Sequence, residues 1–208
     1  MHNSNRSGAL VQNAIVIIAA GMLWGLVELF GYALPGPLAF YKSLILTGIA
    51  MAILLATRRL TLLHGAAILI ALIAIAYKSA GSTFYPCMAA AVLALAICFD
   101  IGYWIFGNKV QNFYQHLVCN AGIIYVAFIA FSVFETYIVR HPYWADTGLN
   151  RIIPYVTFKG SLAIAIATPL TYVVSRLHLN AARLTAPAVW VGGAVTTLCL
   201  VCLVFRLA

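Results

Sequence analysis

"RIIPYVTFKGSLAIAIATPLTYVVSRL", residues 151–177, reads as a helix built for lipid with a lysine inside it. Pro154 marks the expected entrance, Phe158, Lys159 and Gly160 follow, and a long run of small apolar residues comes next. A helix needs about 20 predominantly apolar residues to cross a ~30 Å hydrocarbon layer. The apolar runs of the chain are continuous and rich in Ala and Leu, without the alternation of a spanning strand. The stretch therefore predicts membrane helices, and Lys159 becomes the residue to explain.

Composition points the same way. Of 208 residues, 64% are hydrophobic and 8% charged, with mean hydropathy +1.02. That is too little charge to cover a soluble surface. Spans are expected at 10–34, 38–57, 62–80, 84–106, 113–139, 155–177 and 185–206. The predicted fold class is an all-α polytopic membrane helix bundle in one integral membrane domain, 1–208. Six core transmembrane helices occupy about 10–177, and a seventh, C-terminal span follows. Turn chemistry separates them: "PGP" at 35–37, "RR" at 58–59, "SAGS" at 79–82 and "GNK" at 107–109. The longest connection is "RHPYWADTGLN", 140–150. The opening "MHNSNRSG" is polar and the apolar segment behind it can span, so no cleavable targeting peptide is expected.

The net charge of +8 suits cytoplasmic loops facing anionic lipid. No basic cluster exceeds "RR", which argues against nucleic acid as a partner. Placing the N-terminus in the cytoplasm gathers Arg6, Arg58, Arg59, Lys109, Arg176 and Arg183 on that side. A multi-pass protein of the cell membrane, N-terminus inside, is the resulting expectation.

Three of the four acidic residues, Glu28, Asp100 and Glu135, fall within expected spans, as do Lys42, Lys78 and Lys159. Each charge at the bilayer centre costs ~2.5–3.5 kcal/mol on the insertion scale. At ~1.5 Å per residue, Glu28, Lys42, Glu135 and Lys159 lie roughly 8–10 Å inside the outward boundary, and Lys78 roughly 4–5 Å inside it. Only Asp100 sits toward the cytoplasm. Lys78, nearest the boundary, fits a snorkelling side chain. As a set, the five predict a polar cavity open to the outside, slightly cationic, for a small-molecule substrate. Tyr41, beside Lys42, and Trp144, in the longest outer loop, are candidates to stack on a flat ligand.

Six spans with short outer turns after the first and third, and a longer outer segment between the fifth and sixth, resemble a known family. It is the substrate-binding (S) components of energy-coupling factor transporters. The sixth helix is similar to riboflavin-type members in Ile153, Pro154, Lys159, Gly160, Pro169, Tyr172 and Arg176. The resemblance implies capture of a vitamin, cofactor precursor or metal ion from outside. It also implies release inward through a transmembrane coupling subunit and two ATPases. Where the family often carries A-x-x-x-A in its first helix for that partner, this chain has Gly21-x-x-x-Gly25. The resemblance thus puts these glycines at the partner contact, and packing within the bundle is the alternative.

No cofactor is expected, and no enzyme, since the chain has no phosphate-binding G-x-x-x-x-G-K-[ST] and no recognisable nucleophile–base pair. The main alternative is a stand-alone proton-coupled small-solute or lipid transporter using Asp100 and Glu135. A thiol oxidoreductase would use Cys199 and Cys202, and a haem protein would need His64 to face His116. All five cysteines, Cys87, Cys98, Cys119, Cys199 and Cys202, read first as small apolar packing groups.

Overall fold

Within a bilayer every backbone N–H and C=O must find a partner inside the protein, and helices achieve this segment by segment. The computed structural model describes residues 3–31, 38–61, 63–79, 86–140 and 142–177, and the described residues contain helices and no strand. Helix α1 is Asn3–Gly31, α2 Leu38–Thr61, α3 Ala66–Ser79 and α4 Pro86–Phe106. Helix α5, Phe113–Val133, continues as a π-helical turn over Phe134–Val139. A single turn, α6 (Pro142–Ala145), precedes α7 (Leu149–Pro154), which runs through a second π-helical turn (Tyr155–Lys159) into α8 (Gly160–Arg176).

Five segments are long and apolar enough to cross a membrane: Leu10–Leu29, Tyr41–Thr61, Pro86–Phe106, Phe113–Val139 and Leu149–Arg176. The chain is a multi-pass, all-α membrane bundle. Its third helix is shorter than the expected span at 62–80. Gly65, at φ +81°, makes a turn that only glycine enters freely, and α3 starts just after it. The expected seventh span, 185–206, lies outside the described residues together with Cys199 and Cys202.

The outer connection also differs from expectation. Arg140 adopts the left-handed conformation at φ 54° and ends α5, and its N–H is donated to the Glu135 carbonyl. The sixth spanning helix then begins at Leu149 rather than at Pro154. Pro154 has no N–H to give to the preceding turn, and the widened π-helical turn follows it directly.

The helices close into a ring in the order α1, α3, α4, α5, α8, α2 and back to α1. Two neighbouring pairs, α1 with α3 and α2 with α8, run parallel. A methyl added at Gly21 would stand 2.6 Å from Ile73 Cβ, and one at Gly25 would stand 2.6 Å from Tyr77 Cβ. The Gly21-x-x-x-Gly25 face therefore packs against α3 of the same chain. Helices in lipid gain little from hydrophobic burial and associate by close approach at small residues, which this face supplies.

Large apolar side chains such as Leu23, Ile101, Trp104, Val126 and Ile138 point outward, whereas Glu28, Lys78, His116, Asn120 and Glu135 are buried. Polar groups inside and apolar groups outside are the arrangement that lipid selects. Asn120 of α5 donates to Thr171 Oγ1 of α8 at 2.7 Å, a buried polar tie between the two helices.

Candidate functional site

The ring encloses a cavity of about 210 Å³ toward the end where α1, α3 and α5 finish. Sequence reasoning places that end outside. Glu28 reaches the cavity from α1, Lys42 from α2 and Lys78 from α3. Lys78 Nζ donates to Glu28 Oε2 at 2.5 Å, and both side chains are almost wholly buried. Trp24, one helical turn before Glu28, donates its indole N–H to Oε1 at 3.4 Å. Lys78 is thus a buried partner in an ion pair, not a residue snorkelling to the headgroups. Its stem turns into the bundle because Glu28 lies there.

The opposite wall is aromatic. Phe128 and Phe131, three positions apart on α5, stand beside Tyr155 of the second π-helical turn. Phe128 stacks on Tyr155 with centroids 5.2 Å apart, and Cys87 and Met88 at the start of α4 complete the mouth.

The remaining expected residues take other places. Trp144 is buried behind the wall, edge-on to Tyr155 at 4.9 Å and to Phe131 at 5.8 Å. It holds the ring that faces the cavity instead of facing it. Tyr41 is 45% exposed and is not part of the lining. Lys159 lies with its ammonium 5.5 Å from the Tyr155 ring centroid, so it acts on the wall through that ring. Glu135 is fully buried in the first π-helical turn and within Coulomb reach of Cys87. Each of these two charges sits in a π-helical segment, an irregularity that recurs at functional sites. Asp100 stands apart from the cavity. Its carboxylate faces the backbone N–H groups of Gly65, Ala67 and Ile68 at the start of α3, within reach of Arg58, although Oδ2 takes no hydrogen bond among the described residues.

Trp24, Cys87, Met88, Phe128, Phe131 and Tyr155 were absent from the expected site. A signal existed for two sets of them. Trp24 is spaced i, i+4 from Glu28, and Phe128 and Phe131 occupy the face one to two turns below Glu135.

What the arrangement offers is binding. Its walls hold two ammonium groups, one carboxylate and aromatic faces, and no group of three metal-ligating side chains occurs among the described residues. The volume is small beside the ~300–1,000 Å³ of pockets for drug-sized ligands, which fits a compact solute. Compared with known proteins, the chain matches no protein family, no curated protein and no solved structure.

Proposed function

We propose that the chain is a membrane-embedded capture subunit for a compact small molecule taken up from outside, similar in role to the S components of energy-coupling factor transporters. One observation carries this reading. Charged and aromatic side chains from four helices and a π-helical turn converge on a single cavity, the Glu28–Lys78 pair among them. A buried ion pair with no further role is costly in a bilayer, and here it borders a void. The captured solute carries an anionic or hydrogen-bond-accepting part, matched to Lys42 and Lys78, and a flat part that rests on Tyr155 and Phe128. The chain binds and hands over without transforming its cargo. A transmembrane coupling subunit with its ATPases would drive release inward.

A proton-coupled transporter draws less support. Its relay needs Asp100, which lies outside the lining of the cavity.

Native mass spectrometry of the gently purified full chain tests the proposal. The expected result is a non-covalently bound small molecule that is lost from a Lys42→Met variant. Capture is excluded if the chain emerges empty and its melting temperature is unmoved by vitamins and cofactor precursors. Uptake that persists without coupling ATPases would favour a stand-alone carrier.

A further inference from the structure

We propose a second binding site at the opposite end of the bundle, one that holds a phosphate group carrying uncompensated negative charge. A cavity of about 760 Å³ opens there between α2, α4, α5 and α8. Arg58, Arg59, Arg176, His64 and His116 line it, and among the described residues no carboxylate does. Asp100 is the acidic group within Coulomb reach of Arg58, and it faces the start of α3.

Positive charge at a cytoplasmic helix end is ordinarily solvated and mobile. These guanidinium groups are fixed. Arg58 Nη2 donates to the Tyr103 carbonyl at 3.0 Å and lies over that ring. Arg59 Nη1 donates to the carbonyls of Val174, Ser175 and Leu177, which anchors it at the C-terminal end of α8. Arg176 Nη2 donates to the Tyr172 hydroxyl at 3.0 Å, with its guanidinium 5.1 Å from the ring centroid. A guanidinium has five N–H donors, so each arginine retains some to turn on a ligand, and the planar fork matches phosphate oxygens.

The second, independent observation is His116. It is 1% exposed, and neither ring nitrogen has a hydrogen-bond partner among the described residues. A buried polar group in that condition is expensive, and this one borders the cavity. A phosphate oxygen would satisfy it. The cavity also shares Val110 with an apolar groove of about 520 Å³ between α4 and α5, along Cys98, Gly102, Val118 and Gly122. That groove offers an acyl chain a path, so an anionic lipid headgroup is the source of phosphate that the geometry favours.

The test uses the full chain in micelles containing equal phosphatidylglycerol and phosphatidylcholine, read by native mass spectrometry. Phosphatidylglycerol adducts should predominate, and Arg176→Gln should reduce them about tenfold, the loss of one charge-assisted contact. Arg176 is exposed at the end of α8, so its replacement leaves the packed core intact. His116→Gln, which alters no charged contact of the arginines, should lower the same adducts. A second arm titrates inorganic phosphate calorimetrically into lipid-free micelles. Saturable binding there, weakened by Arg176→Gln, assigns the site to the free anion instead. The proposal is overturned if the wild-type chain shows neither lipid preference nor phosphate saturation, or if both variants respond as it does.

Discussion

Under the proposed capture role, the Glu28–Lys78 contact would serve stability and recognition together. Removing one partner from a buried ion pair costs about 3–5 kcal/mol, whereas replacing both with apolar groups of similar size is often neutral. Glu28→Gln should therefore lower the melting temperature of the detergent-solubilised protein sharply, and Glu28→Leu combined with Lys78→Met should recover most of the loss. The double variant should still fail to bind cargo. Retained binding would show that the pair only holds α1 to α3. Lys159 poses a smaller question. Its ammonium over Tyr155 is worth about 0.5–2 kcal/mol, so Lys159→Ala should cost that much stability and Lys159→Arg should restore it. Equal melting of all three proteins would leave the contact with Tyr155 without energetic weight.

At the scale of helices, close approach decides the packing. Gly25 has Tyr77 Cβ 2.6 Å from where its own Cβ would stand, and Gly122 has nothing within 4 Å. Overpacking costs about 1–3 kcal/mol, and alanine gains about 0.5–1 kcal/mol over glycine within a helix. Gly25→Ala should accordingly destabilise and Gly122→Ala should be neutral or stabilising, compared by melting in one detergent. The reverse order would remove α1–α3 packing as the role of the glycine pair. Helix α3 carries a prediction of its own. A carboxylate at a helix start is worth about 1 kcal/mol, so Asp100→Ala should speed hydrogen exchange in the first turn of α3 while sparing α8. The apolar runs made the helices legible, because chain length and hydrophobicity are local properties. The direction of a side chain around its helix is not local. Lys78 lies at snorkelling depth by counting, yet it is turned inward by Glu28, fifty positions away. The π-helical turns beneath Glu135 and Lys159 left no recognisable mark in the residue order. Trp144 lay in what looked like a loop, and only folding tucked it behind Tyr155.

For the whole molecule, the ring of six helices separates two polar chambers, a compact one near Glu28 and a basic one near Arg58. Depth counting correctly gathered Glu28, Lys42 and Lys78 at one end, because antiparallel threading makes depth additive along the chain. It did not reveal which charges face the void, since that depends on the order of helices around the ring. From the excess of arginine at the other end, the Glu28 cavity is expected to face outward, and Cys87 at its mouth allows this to be measured. A variant retaining Cys87 as its one cysteine should react, in intact cells, with a maleimide that cannot cross membranes. Cargo should slow that reaction by filling the cavity. Moving the single thiol to Cys119, which is buried in the core, should abolish labelling. If Cys87 reacts only after the cells are opened, the bundle lies the other way up. The cavity would then face the cytoplasm, where a subunit that captures solutes from outside has no use for it.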